Sequence, residues 1–319
     1  MNINYLDGED VRRHLTMTAC IELMADTQAA ISRGEITLPL RHVLPLNGQD
    51  NSLLIMSGEI TKQEVFGAKL ISLFPGNPSR GKAVIQGGIL LFDNVTGSAI
   101  VLVEASSITA IRTAAASGAA TRVLAKPDSH RLAILGCGVQ AATHLQAMLE
   151  VRPIDEVRIW GRSFEKAEAF VTQHSSAVGS TTLFATPTVR EAVADVDIVC
   201  TVTGAHKPIL EGGWLASGVH LNLVGAHDAK SREVDGETLR GAQIFTEVSE
   251  FAWAEAGDIL LALEEGAIGK SNIVAEIGEV FNGRLPGRKS RADKTVYKNL
   301  GNTAQDLTAA FYVYNKTRS

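Results

Sequence analysis

The sequence predicts an α/β protein: a Rossmann-type doubly wound parallel sheet joined to a smaller α+β domain. Three observations predict it. From Arg131 onward, apolar runs of strand length alternate with helical segments. The first turn of that alternation carries Gly136-x-Gly138. Ahead of it, residues 38–103 form short apolar runs broken by turn residues, as in an antiparallel meander. A chain of 319 residues exceeds one ordinary core, so two domains are expected. Their expected bounds are 1–118, completed by a closing segment at 299–319, and 119–298 for the dinucleotide-binding part.

The elements follow in order. Residues 1–35 read as an opening strand and a helix; 18–32 (TACIELMADTQAAIS) has apolar residues at helical spacing, and Gly34 is a natural stop. Strands are expected at 53–56 (LLIM), 66–74 (FGAKLISLF), 84–93 (VIQGGILLFD) and 98–104 (SAIVLVE), punctuated by Gly58, 75–78 (PGNP) and 94–97. The Ala-rich segment 106–125 has high helix propensity and ends before Pro127, so it reads as the helix linking the domains. RLAILG, EVRIWG, LFAT, DIVCTVT and VHLNLVG then read as strands, with helices among them. After about Asp293 the alternation is lost, and 303–315 reads as a closing helix that returns to the first domain.

Composition excludes several function classes. Apolar residues are 45% and charged residues 20%, the balance of a soluble globular chain. Net charge is −5 and aromatics are 5%, which suits neither a nucleic-acid surface nor a base-stacking platform. Cys20, Cys137 and Cys200 are odd in number and far apart, so a disulfide framework is not expected and a reducing cytoplasm is. The first residues carry early acids and no apolar core, unlike a signal peptide. No apolar run reaches the roughly 20 residues a bilayer span takes. The eight histidines form neither H-x-H nor H-E-x-x-H, so no metal is expected.

The glycine turn is the strongest local signal. Gly136 makes the tight turn, Gly138 lets backbone approach a pyrophosphate, and Ala141 takes the small third place that lets helix pack on strand. Val139 and Gln140 open the helix whose N-terminus then faces the phosphates. The second strand decides the nucleotide. An NAD site places Asp or Glu at its end to accept from the ribose hydroxyls, but here the strand ends Ile159-Trp160-Gly161-Arg162-Ser163. Arg162 can pair with a 2′-phosphate and Ser163 can donate to it, so NADPH is expected to be preferred, with NADH possible.

Taken together, LPLRHVLPL around Arg41, FGAKLIS around Lys69, ITAIRTAAASGAAT around Arg112, LGCGVQA, TVTGA, HLNLVGAH, EIGEVFNGRLPGR and TVYKNLG resemble the ornithine cyclodeaminase/mu-crystallin family over nearly the whole chain. The resemblance implies a substrate-binding and dimerisation domain, a Rossmann domain, a returning C-terminal helix and a homodimer. It implies an α-amino or α-imino carboxylate substrate, held by Arg41, Lys69, Arg112 and Met56. It implies cofactor contacts from Arg112, Thr113, Thr201, Val202, Thr203, Val224 and Gly225 beside those of the glycine turn. The chemistry agrees: arginine offers a planar fork to a carboxylate and lysine a movable charge. Lys69 interrupts an apolar strand, where an unpaired charge is costly.

Two departures narrow the reaction. Cyclodeaminases in the family carry a catalytic Glu two residues before the Met of the early strand; here Leu54 precedes Met56. They carry an Asp two residues after the Gly that ends N-x-V-G; here His227 follows Gly225 and Asp228 stands next to it. Cyclodeamination needs carboxylates near its reacting nitrogens. Reduction of a protonated cyclic imine needs mainly orientation and a bound hydride donor. The expected function is therefore reduction of a small cyclic ketimine carboxylate: 1-pyrroline-2-carboxylate to L-proline, and then 1-piperideine-2-carboxylate to L-pipecolate. Lys69 is a catalytic candidate, and His227 or Asp228 is the candidate to hold or relay the proton. Alternatives are an alanine dehydrogenase, an ornithine or lysine cyclodeaminase, or a non-catalytic NADPH-binding protein.

Overall fold

A computed structural model describes residues 3–46 and 51–318. Met1, Asn2 and Ser319, ends of the expected first domain, lie outside the described residues, as do residues 47–50. The chain divides into two compact units, one running to Thr113 and resuming at Gly301, the other spanning Ala114–Leu300. The first division falls inside a continuous helix, which carries no Pro or loop to mark it. The sequence pattern places it five residues later.

The first unit is an α+β layer. Its strands are β1 (Asn4–Leu6), β2 (Ile36–Thr37), β3 (His42–Leu46), β4 (Asn51–Ile60), β5 (Val65–Leu73), β6 (Ile85–Asp93) and β7 (Ala99–Glu104). The order is β1-β7-β6-β5-β4-β2, with β3 also on β4. The run β4 to β7 is the expected antiparallel meander, while β1 joins β7 in parallel. Helix α1 (Gly8–His14) is capped by Asp7, and α2 (Met17–Ser32) by Thr16. Gly34, with φ +73°, ends the turn after α2. Helix α3 (Ala105–Leu124) follows β7. The closing helix (Thr303–Lys316) is capped by Asn302 and packs on β4, β5, β6 and α2.

Side-chain alternation along β5 sets the site. Val65, Gly67, Lys69 and Ile71 are buried on the face under the closing helix. Leu70 on the other face is 49% exposed. Gly67 has a steric reason: a Cβ there would run into the Leu90 carbonyl and press on the Leu307 side chain.

The second unit holds eight strands, all paired in parallel: β8 (Arg131–Leu135), β9 (Glu156–Trp160), β10 (Thr182–Ala185), β11 (Ile198–Thr201), β12 (His220–Leu223), β13 (Gln243–Thr246), β14 (Ile273–Glu276) and β15 (Thr295–Lys298). The order is β10-β9-β8-β11-β12-β15-β13-β14. Strand order reverses between β8 and β11, and doubly wound sheets bind ligands beyond the carboxyl ends of the strands at such a point. The expected loss of alternation after Asp293 is corrected here. Strand β15 returns between β12 and β13, with all four residues buried. Its polar ends, Thr295 and Lys298, hide it from a search for apolar runs. No helix among the described residues is long and apolar enough to cross a membrane.

Candidate active site

In the second unit, β8 delivers the chain to Gly136, whose φ is +138°. A Cβ there would collide with Val202, so the turn closes against the end of β11 only with glycine. Gly138 caps helix α4 (Val139–Val151), and no side chain occupies that cap. No heavy atom lies within 4 Å of where its Cβ would stand. Ala141 is fully buried against the sheet. An uncapped helix N-terminus beside a bare glycine fits a pyrophosphate.

Two residues past the end of β9, Arg162 is exposed. Ser163 caps helix α5 (Phe164–His174), accepting from Lys166 N at 3.4 Å. Its hydroxyl donates to Glu165 Oε2 at 2.6 Å, and that bond holds the Glu165 carboxyl below the usual carboxylate range. A carboxylate, unanticipated from the strand end, therefore stands two residues beyond Ser163.

At the ends of β11 and β12 the turns are tied together. Glu233 Oε2 accepts from the Thr201 hydroxyl at 2.6 Å and from Gly225 N at 2.7 Å. Its Oε1 accepts from Thr203 N and from the Thr203 hydroxyl, both at 2.7 Å. Val202 and Val224 sit within these turns. His227 is exposed, with Nδ1 2.9 Å from the Gly225 carbonyl, which makes Nδ1 the donor. Asp228 Oδ1 accepts from Lys230 N and Ser231 N at 2.9 and 3.0 Å. Partial burial pushes its carboxyl up, but bonds from Ser231 and Lys230 outweigh that and leave it below the usual range. An ionised Asp228 can stabilise a cation; it does not supply a proton at neutral pH.

The first unit holds a different cluster. Lys69 Nζ donates to Asp306 Oδ1 at 2.9 Å, and Arg112 Nε donates to the same oxygen at 2.9 Å. Arg112 Nη1 also reaches Gln305 Oε1 at 2.8 Å, and Arg41 Nη2 reaches the Gly301 carbonyl at 2.8 Å. Lys69 and Asp306 are buried. Asp306 Oδ2 is buried with no hydrogen-bond partner among the described residues. Gly301, at φ +70°, leaves the space the Arg112 guanidinium fills. Met56 pairs with Lys69 across β4 and β5 and is buried beside it. Leu54, on the same face, is buried too. Thr113 follows Arg112 on α3 and is buried. Burial pushes the Lys69 ammonium down to about 8 despite Asp306, with Arg112 and Arg41 pushing the same way.

The sequence reading brings Arg41, Met56, Lys69 and Arg112 to one place but misses Asp306, Gln305 and Gly301. One signal was present: Thr303, Asp306, Ala310 and Val313 fall on one helical stripe, and Asp306 is the charge inside it. Glu233 was missed too, since nothing local distinguishes it from a loop acid. Among the described residues no group of His, Cys, Asp and Glu could hold a metal ion.

The family model for the ornithine cyclodeaminase/mu-crystallin family matches residues 4–319. The chain belongs to that family. It is 36% identical to the ketimine reductase mu-crystallin of Mus musculus, over 99% of this chain and 97% of the relative. It is 32% identical to a Delta(1)-pyrroline-2-carboxylate reductase of Bacillus cereus, over 98% and 95% of the two chains. Among solved structures, the Thermococcus litoralis Delta(1)-pyrroline-2-carboxylate reductase in complex with NADH and L-proline superposes with a TM-score of 0.96. It shares 32% identity, over 99% of this chain and 98% of that one. This family member is therefore matched end to end by oxidoreductases named for C=N reduction.

Proposed function

We propose that this family member reduces a small cyclic ketimine carboxylate with a nicotinamide dinucleotide, 1-pyrroline-2-carboxylate to L-proline first and 1-piperideine-2-carboxylate to L-pipecolate second. The observation that carries the reading is the Lys69–Asp306–Arg112 cluster, in which two buried cations share one carboxylate, with Arg41 reaching the neighbouring Gly301 carbonyl; this arrangement suits an anionic substrate. Buried Leu54 stands where family cyclodeaminases carry an acid, which favours reduction over cyclodeamination.

The roles follow from the geometry. Arg112, held by Asp306 and Gln305, presents a fixed guanidinium edge to the substrate carboxylate, and Arg41 adds a second. Lys69, with its pKa near 8, keeps its proton at neutral pH and can yield it to the ring nitrogen. Met56 and Leu54 keep water from that corner. The glycine turn, Thr201, Thr203 and Gly225 hold the dinucleotide, whose reduced nicotinamide supplies the hydride when bound. Hydride on carbon and a proton on nitrogen convert C=N to CH–NH. Asp228, kept ionised, is the candidate to hold the imine protonated, and His227 the candidate to relay a proton.

Arg162 and the missing acid at the end of β9 support NADPH as preferred donor, with NADH accepted. The Glu165 carboxylate moderates that preference. Exposed Leu44, Ile55 and Leu70 on the outer face of the first unit's sheet support a homodimer. The free cysteines suit the cytoplasm. One assay tests the main reading: both cyclic ketimines, pyruvate with ammonia, and ornithine are offered with NADPH and NADH. The reading expects fastest turnover on a cyclic ketimine; faster turnover on ornithine or pyruvate overturns it.

A further inference from the structure

The second unit buries a charge that the mechanism above leaves unused. Glu233, Asp258 and Lys298 are each fully buried. Lys298 Nζ donates to Asp258 Oδ2 at 2.8 Å and to the Ala226 carbonyl at 2.6 Å. Asp258 Oδ1 accepts from Glu233 N and Val234 N at 2.8 and 3.3 Å. Lys298 and Asp258 thus cancel as an ion pair. Among the described residues Glu233 pairs with no cation, and its four donors are all neutral.

Those donors are arranged for an ionised carboxylate. Two are backbone N–H groups, which only donate. The Thr203 hydroxyl accepts from Ala205 N at 3.2 Å, which turns its proton toward Glu233. Burial and the nearby Asp258 leave the Glu233 carboxyl above the usual carboxylate range, with the bonds from Thr201 and Thr203 opposing them only in part. It is the four converging donors that mark the site as built for the ionised form. A buried carboxylate needing only hydrogen bonds for company is costly to keep. Here it sits under the turns that end β11 and β12, next to the switch point of the sheet. Gly225 is kept bare on that side, since a Cβ would meet the Thr203 carbonyl and the Glu233 carboxylate.

We propose that Glu233 is an electrostatic positioning residue whose uncompensated negative charge, fixed beneath the Thr201–Thr203 and Gly225–Ala226 turns, favours the oxidised, cationic nicotinamide over the neutral reduced one. The inference rests on the dinucleotide reading of this unit. Loss of hydride leaves a positive ring, so a fixed negative charge that binds the oxidised form better also favours hydride donation. A residue that merely braced the turns would serve both redox forms equally.

Binding without turnover tests this. NADPH and NADP+ are titrated separately into the purified protein, and the ratio of their Kd values is compared among variants. Glu233→Gln keeps shape and loses charge. It is expected to weaken NADP+ about tenfold more than NADPH. Asp258→Asn removes a neighbouring negative charge and is expected to shift the ratio in the same direction, which keeps the test alive should Glu233→Gln fail to fold. Glu233→Asp keeps the charge and loosens the bonds; both affinities fall while the ratio holds within about twofold. Equal weakening of both forms in Glu233→Gln, an unmoved ratio in Asp258→Asn, or a Glu233→Asp shift as large as that of Glu233→Gln overturns the proposal. Failure of the unmodified protein to bind either nucleotide overturns instead the dinucleotide reading beneath it.

Discussion

Each unit of this chain buries a charged triad, and the two have opposite balances. In the first unit one carboxylate, Asp306, is shared by Lys69 and Arg112, leaving a positive surplus. In the second, one cation, Lys298, serves Asp258 while Glu233 is held by neutral donors alone, leaving a negative surplus. Buried ions are costly unless paired, and breaking a pair costs more than never having built it. A surplus that persists in both units therefore points to ligands of complementary charge: a carboxylate for the first, a cationic ring for the second. The contrast also explains why Asp306 has an oxygen with no partner while both Glu233 oxygens are doubly satisfied. The first cluster completes its bonding only with something added; the second is complete and acts through its field.

The largest effect should come from removing the cation that separates the two clusters in sign. Lys69→Met is expected to lower kcat/KM about a thousandfold, since it deletes a buried partner of Asp306 and the proposed proton source. Activity within tenfold of the unmodified protein would exclude that role. Asp306→Asn comes next, at about a hundredfold in kcat/KM. It carries a sign of its own. Lys69 is held near 8, below its ordinary 10.5, so kcat/KM should fall as pH rises through about 8 and the ammonium is lost. The Asp306 charge pushes that value up, so Asp306→Asn should move the alkaline limb to lower pH. A limb that stays in place would break the comparison.

The dinucleotide end sharpens it on a smaller scale. Arg162→Ala should raise the KM for NADPH about tenfold and leave NADH nearly unchanged, read from paired steady-state assays. The smallest effect concerns stability. His144 and His220 are buried, and burial pushes them down to about 4 and about 3, from an ordinary 6.5. The unfolded chain therefore binds protons first as pH drops below 6.5, and the folded state loses stability progressively toward pH 4. A thermal midpoint rising with acidification across that window would contradict the buried, neutral assignment.

The residues explain what was legible beforehand. The glycine turn, the strand–helix alternation from β8 to β12 and the meander from β4 to β7 are local patterns, and each stands where the pattern places it. Lys69 was visible because a charge inside an apolar strand violates local logic. Strands β13, β14 and β15 were not visible: they are short and their polar residues are matched only by distant neighbours. Glu165 is not legible at the strand end, because Ser163 draws its partner from the helix that follows.

By itself, the sequence determined the fold class, the dinucleotide turn and the basic residues just before β3, on β5 and on α3, because period, propensity and turn chemistry act over a few residues. The tertiary structure alone decided which charges are compensated. Lys69 meets Asp306 across 237 positions of sequence, and Lys298 meets Asp258 across 40. No helical or strand period reaches that far. Only the packing that expels water from both clusters makes their unequal pairing count, since the same charges in solvent would be screened to small effect.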